Sequence, residues 1–417
     1  MSVAIIGNGY GALHLALRLQ IDGRDPHLFS DRTSEQLLAG RLINTACQWA
    51  TTRQSDAALG VDFWQEPSYA VKMIRVYLGL PDPIRFETQL SKPGYMIDHR
   101  VYQSRLLDEF TARGGKVTYG ALEQRDLGKL TERHEATVVG TGKGGFQDLF
   151  DRVEEHCPYS VPQRLLCSGL YEGFNFQEMT GVTVHVAPGV GEMFEYPAAT
   201  LNGKYKIVFF FFAIPGGPLE AVVNTKFAAD AARFHSTVLT ATEHFFPDAY
   251  ARIDLERFGA ARAEDVVQGA VTPSLRRAYA KLPNGKFVLA LGDVHSVNDP
   301  IMGQGANAAI RSADMLADLF AEDGLAVDEW FCSRYDRRTL EFNEAVQGWN
   351  NIMLRVPPEQ HILKFLMTAA SNKTAADDFG SMFDQPLKAW RVLSSAERTD
   401  AYLGTLAAQT PSVHAAA

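Results

Sequence analysis

The sequence predicts an α/β fold with an inserted antiparallel β-sheet and a helical C-terminal region, on three observations. Short apolar runs ending in glycine, at 3–6 before Gly7, 136–139 before Gly140 and 287–291 before Gly292, read as parallel strands of one sheet buried on both faces. Between about Cys167 and Thr225 the texture shifts to β-branched and aromatic segments broken at Pro188-Gly189, Asn202-Gly203 and Pro215-Gly216-Gly217, as antiparallel hairpins require. After Gly305, the residues Ala309, Ile310, Ala313, Leu316, Ala317 and Phe320 recur at helical spacing. Further helical stretches run from Trp330 to the end, interrupted at Pro357-Pro358 and Pro386.

A chain of 417 residues exceeds the roughly 250–300 residues at which single cores stop growing, so at least two domains are expected. Residues 1–165 with 256–330 form the parallel-sheet domain, and 166–255 form the inserted sheet, which strands from 60–95 can join. Residues 331–417 form the helical region, with Val413 to Ala417 as a frayed tail. The net charge of −9 and the scattered Lys and Arg leave no basic footprint for nucleic acid. Cys47, Cys157, Cys167 and Cys332 lack CxxC or zinc spacing, which argues against a metal site and for a reducing compartment. The N-terminus enters a strand pattern without a basic, cleavable leader, so a cytoplasmic protein is expected. The longest apolar run, 207–215, is about half the roughly 20 residues of a membrane span and reads as a buried strand.

Gly7-Asn8-Gly9-Tyr10-Gly11-Ala12 follows a strand and opens a helix carrying Leu13, Ala16 and Leu17, the context of a Rossmann-like dinucleotide fingerprint. Gly7 permits the tight turn, Gly9 lets a pyrophosphate approach the backbone, and Ala12 allows close helix packing. Free N–H groups at the helix start attract phosphate. A ribose contact is expected about 20 residues further on, at Ser30, Asp31 or Arg32; a plain turn aspartate is the competing reading of Asp31.

Leu291-Gly292-Asp293 and then Asp299-Pro300-Ile301-Met302-Gly303-Gln304-Gly305-Ala306-Asn307 repeat the logic near the far end: a strand ending in a carboxylate, then a glycine-rich helix start. Asp293 can accept a ribityl hydroxyl. The N–H groups around Gly303 to Asn307 can stabilise negative charge on a reduced flavin ring. Two such turns in one chain point to a dinucleotide.

Together these motifs resemble the FAD-binding class that includes the aromatic hydroxylases. Arg41-Leu42-Ile43-Asn44-Thr45, Tyr95 through Gln103, Ala112 through Lys116, Thr141-Gly142-Lys143, Asp299 through Asn307, Trp349-Asn350, Pro357-Pro358-Glu359 and Ser394 through Arg398 resemble the oxygenase component of styrene and indole monooxygenases, in one register along essentially the whole chain. The resemblance implies a two-component system. An NADH-dependent reductase supplies reduced FAD, O2 adds to give a flavin C4a-hydroperoxide, and a styrene-like alkene or indole is epoxidised, with sulfoxidation as a related activity. Thr141-Gly142 stands where single-component hydroxylases carry an Asp-Gly pair tied to NADPH, which argues against a built-in nicotinamide site. A homodimer is compatible with this reading.

In such a reaction the cofactor carries the chemistry, and no Ser, His or Cys nucleophile is expected. The resemblance places Asn44 and Thr45 beside flavin and substrate, Ala46 and Gln48 at the substrate pocket, and Arg41 and Arg100 near the cofactor, an ordinary surface ion pair being the alternative for the arginines. Gln48 departs from the histidine of styrene-preferring members and Ala46 from a bulkier aliphatic residue, whereas Asn44 matches that subgroup, so the substrate stays open. Phenylalanines alternate along a strand, so either Phe209 and Phe211 or Phe210 and Phe212 face an apolar pocket; Phe209 and Phe211 are taken as the pocket pair. A flavin-dependent halogenase is disfavoured because none of the five tryptophans forms a WxWxIP signature. A flavin-binding redox protein that oxygenates nothing is the reading from another class.

Overall fold

The structure, a computed structural model, describes residues 2–142, 144–175, 181–323 and 326–409; Lys143 and the tail 413–417 lie outside the described residues. The glycine-ended runs do share one sheet. Its six strands run in the order β14 (Tyr279–Lys281), β15 (Phe287–Ala290), β7 (Ala136–Val139), β1 (Ser2–Ile6), β2 (Asp25–Ser30) and β6 (Lys116–Tyr119). Every pairing is parallel except the edge pair β14–β15. Both faces are covered. Val3 and Ile5 point into a core shared with helices Tyr10–Ile21 and Gly305–Asp323, while Ala4 and Ile6 join Phe29, Phe146 and Phe150 on the other side. The two helices pack so closely that a Cβ at Gly11 would stand 2.8 Å from the Ala309 carbonyl oxygen.

The second sheet has eight strands in the order β12 (Val266–Ala270), β8 (Leu165–Tyr171), β11 (Tyr205–Ala213), β10 (Gly191–Ala199), β9 (Gly181–Ala187), β4 (Val71–Leu78), β5 (Ile84–Asp98) and β3 (Thr45–Gln48). β13 (Ser274–Leu275) and β16 (Ser296–Val297) form a separate two-stranded ladder. The turns at Pro188-Gly189 and Asn202-Gly203 join β9, β10 and β11, with Asn202 at φ 61°. This sheet takes more of the chain than 166–255. β4 and most of β5 come from the 60–95 segment, but β3 and β12 come from stretches assigned above to the first domain. At four and five residues, these two strands are too short to show a periodicity of their own.

Both faces of the second sheet are buried as well. One packs on helix Ala231–Phe245 and its neighbours. The other faces the C-terminal helices Gln360–Ser371, Lys373–Met382, Pro386–Leu393 and Ala396–Gln409. Pro386 opens a helix instead of interrupting one, since at a first helical position its missing N–H costs nothing. Among the described residues no helix is long and apolar enough to cross a membrane.

One buried polar knot ties four helices behind the first glycine turn. The His14 ring is fully buried, with Nδ1 3.1 Å from Asp56 and Nε2 2.9 Å from Asp314. Tyr102 and Gln48 also donate to Asp56, at 3.0 and 2.7 Å. Burial opposes the His14 charge, but the hydrogen bonds to Asp314 and Asp56 outweigh it and raise the pKa to about 9. The folded value lies above the unfolded one, near 6.5. The stabilisation is therefore complete below about pH 6.5, declines as pH rises, and is gone above about pH 9; its full size is on the order of 3 kcal/mol, at about 1.36 kcal/mol per pKa unit. Denaturant unfolding between pH 6 and 9.5 should show this decline in the parent and not in His14→Gln. Identical slopes in the two proteins would contradict the assignment.

Candidate active site

Gly7 turns the chain between β1 and the first helix at φ 113°, and its N–H donates to Phe29 O at 2.8 Å. Gly9 caps the helix without a side-chain hydrogen bond, so the following N–H groups open on a cavity of about 630 Å³. Gly7 through Ala12, Asp31, Arg32, Gly140, Thr141 and Gly142 line that end. Asn8 positions Asp31, donating to its Oδ1 at 2.9 Å and to Ser30 Oγ at 2.8 Å. Of the three ribose candidates, Asp31 and Arg32 reach the wall. Ser30 does not: it is fully buried, and its hydroxyl donates to Arg32 O.

Further along, Leu291, Gly292, Asp293, Asn298, Pro300, Gly303, Gly305 and Ala306 line the cavity, together with Asn44 through Cys47. Gln304 and Asn307 stand one layer behind. Gln304 Nε2 donates to Met302 O and Phe383 O, each at 3.0 Å. Asn307 Nδ2 donates to Cys47 O at 2.7 Å and Gly303 O at 2.9 Å, while its Oδ1 accepts from Thr52 Oγ1 at 2.6 Å. The glycine turn is stapled to β3 on one side and to the C-terminal helices on the other. Tyr10, buried and stacked near Tyr102, donates to Asn44 Oδ1 at 2.9 Å and so fixes the amide facing the cavity. Burial, then Asp98, raises its pKa well above the usual phenol, which keeps it a donor.

Beyond Asn44 the cavity opens into an apolar chamber between the second sheet and the C-terminal helices, walled by Ile74, Met96, Val182, Val184, Phe194 and Phe210, with Phe383 on the helical side. Its polar groups are few. Thr45 Oγ1 and Tyr196 OH share a hydrogen bond of 2.8 Å, and burial holds the Tyr196 phenol well above its usual range, hence neutral. The charged residues on the cavity wall, among the described residues, are Asp31 and Arg32, just after β2, and Asp293, just after β15.

Four expectations need correction. Phe209 and Phe211 point away from the chamber into the core shared with helix Ala231–Phe245, and of the run 209–212 it is Phe210 that lines the wall. Gln48 lies off the wall because its amide is spent on Asp56. Arg100 is 1% exposed and committed to Asp98 and Asp265, at 2.6 and 2.8 Å, with Gly40 O at 3.2 Å; it anchors the loop before Asn44 instead of meeting a ligand. Arg41 is exposed, and outside the wall. Sequence reasoning also missed Phe29 and Gly120 through Leu122, which line the cavity end near Asp31. Only the glycine after β6 hinted at them.

The wall residues fit a dinucleotide. A Cβ at Gly7 would lie 2.3 Å from Gly140 O, so side-chain-free backbone is obligatory where a pyrophosphate would rest. Thr141 Oγ1 and Asn298 Oδ1 are buried on the wall, without a hydrogen-bond partner among the described residues, and a ligand would satisfy both.

Residues 142–252 match the family described as "Styrene monooxygenase A putative substrate binding domain". Styrene monooxygenase StyA from Pseudomonas sp and from Pseudomonas fluorescens are each 33% identical over 401 residues, covering 95% of this chain and 96% of theirs. Among solved structures, the flavin-dependent brominase Bmp2 aligns over 98% of this chain and all of its own, with a TM-score of 0.66 at 12% identity. PqsL from P. aeruginosa, in complex with 2-aminobenzoylacetate, covers 91% of this chain and 99% of its own, with a TM-score of 0.63 at 15% identity. At such identities these two report a shared fold.

Proposed function

Because the chain belongs to the styrene monooxygenase family of flavin-dependent monooxygenases, we propose that it receives reduced FAD from a separate NADH-dependent reductase and uses it with O2 to epoxidise a small neutral aromatic alkene or indole, and to oxidise aryl sulfides. One observation carries this reading: a single cavity joins an end lined by the glycine-rich turns, Asp31 and Arg32 to a chamber lined by apolar and aromatic side chains. In overall balance, alkene, O2 and reduced FAD give epoxide, water and oxidised FAD.

In this reading the N–H groups after Gly9 hold the pyrophosphate, Asp31 and Arg32 the adenosine ribose, Asp293 the ribityl chain, and Gly303 to Ala306 the ring. Bound reduced FAD supplies electrophilic oxygen from O2, and the protein's own groups position and dry the site. Asn44, fixed by Tyr10, and Thr45, fixed by Tyr196, face the ring and the substrate. The apolar wall excludes water. A benzoate-type substrate would leave an unpaired carboxylate in the chamber at a cost of several kcal/mol, which selects neutral substrates.

Supplying chemically reduced FAD in air with styrene, indole or an aryl sulfide, and identifying products, tests the proposal. Styrene oxide, indole-derived indigo or sulfoxide is expected, without hydroxylation of 4-hydroxybenzoate. Oxidised FAD recovered with every substrate untouched would instead indicate a flavin-binding redox protein, and halogenated product in added bromide a halogenase.

The Gly305 helix start should favour an anionic ring, so reduced FAD is expected to bind more tightly than oxidised FAD by about 0.3–1 kcal/mol, the range for a charge at a helix terminus. Anaerobic titration of both forms measures this, and tighter binding of the oxidised form would refute the electrostatic role of that turn.

A further inference from the structure

The chamber wall carries three sulfur atoms where electrophilic oxygen would be released. Met96 and Met302 are each 4% exposed and both line the cavity, as does buried Cys47. They form one cluster. Cys47 and Met96 are directly opposed on antiparallel β3 and β5, and Gly303, next to Met302, would place a Cβ 3.5 Å from the Cys47 Cβ. The opposite chamber walls are hydrocarbon and aromatic groups, apart from the Thr45–Tyr196 hydroxyl pair, Ser168 and Asn298, so the thioethers are the most nucleophilic neutral groups facing the oxidant.

We propose that Met96 and Met302 are self-oxidation sites, converted to sulfoxides when the chamber holds no substrate. This rests on the function proposed above. The thioether lone pair attacks the electrophilic oxygen, an S–O bond forms as the O–O bond breaks, and the second oxygen leaves as water. Thioether, O2 and reduced FAD thus yield sulfoxide, water and oxidised FAD; sulfur is oxidised by two electrons and O2 reduced by four. Burial keeps the Cys47 thiol protonated, so it competes less well than the thioethers. Each sulfoxide puts a polar group into a wall built for hydrocarbon, and the chamber loses affinity for a neutral alkene. A bound alkene both consumes the oxidant and shields the sulfur, so the enzyme is spared while it works.

Two other methionines serve as internal references. Met193 is fully buried but lies on the opposite face of the sheet, and Met367 is 60% exposed and reports free peroxide. Met302 is the only methionine between Lys286 and Arg311, and Met96 the only one between Arg85 and Arg100, so peptide masses assign each site. The full-length protein is cycled with reduced FAD in air, with catalase present and with or without styrene, then digested. Without styrene the Met96 and Met302 peptides should gain one oxygen atom while fragment ions show Met193, whose peptide also carries Met179, unmodified, and saturating styrene should suppress the gain. Unmodified Met96 and Met302 in a preparation that makes styrene oxide would overturn self-oxidation and leave the proposed function standing. A gain that catalase abolishes would also overturn it, since free peroxide would be the oxidant. Neither styrene oxide nor any oxygen gain would remove the proposed function, and this inference with it.

Discussion

Gly7→Ala is expected to lose FAD affinity by about 100-fold or more, and to destabilise the protein. At φ 113° an L side chain is strained by roughly 1–3 kcal/mol before any contact is counted. The new Cβ would also meet the Gly140 carbonyl oxygen at 2.3 Å, and that carbonyl cannot retreat, because Gly140 N–H donates to Ile6 O at 2.7 Å within the paired strands β1 and β7. Relief requires moving the turn that presents the helix N–H groups, and about 3 kcal/mol of lost binding is about 100-fold. Gly9→Ala separates the two effects. Its Cβ would stand 3.5 Å from the same oxygen, an ordinary contact at an extended φ of −72°, so the fold should survive while the pyrophosphate is crowded. FAD fluorescence titration with thermal unfolding reads both variants. A Gly7→Ala protein that binds FAD like the parent would exclude this turn from the cofactor site.

Phe209→Ala and Phe210→Ala, neighbours on β11, should fail differently. Phe209 is fully buried and touches the rings of Tyr171, Phe174, Phe211 and Phe258, at centroid distances of 5.3–6.4 Å. Truncation leaves a closed cavity and should cost about 3–5 kcal/mol of stability. Phe210 is partly exposed to the chamber and stacks on Phe212 at 4.2 Å. Its removal enlarges the existing space, so stability should fall less while the preferred substrate becomes larger. Chemical denaturation and competition between styrene and a bulkier vinyl arene measure the two outcomes. Equal stability losses, with no change in preference for Phe210→Ala, would put both rings in the core.

The difference between these two residues also marks how far the sequence can be read. A period of two tells which phenylalanines share a face but not which face holds the chamber, and here both faces are buried, so no polar alternation breaks the tie. The glycine turns were legible because their function lies in backbone geometry, which glycine announces at the residue itself. Gln48, Arg100, Gln304 and Asn307 were harder. Each is a polar side chain in a buried setting that turned to a carbonyl or carboxylate, which for all but Gln48 lies tens to hundreds of residues away in the chain. Phe29 and Gly120 to Leu122 carry no signal beyond that one glycine and meet only where β2 and β6 pair.

The stapling of the Gly303 turn has a thermodynamic corollary. Asn307 and Gln304 bind that turn to Cys47 and to Phe383, both on the chamber wall, so whatever orders the turn also sets the shape of the substrate's room. Cofactor and substrate are thereby linked ligands. Any factor by which flavin tightens alkene binding must equal the factor by which alkene tightens flavin binding, whichever arrives first. In the proposed reaction, with flavin supplied by a reductase, such reciprocity would let the loaded chamber retain the reduced cofactor and let product departure loosen the spent one.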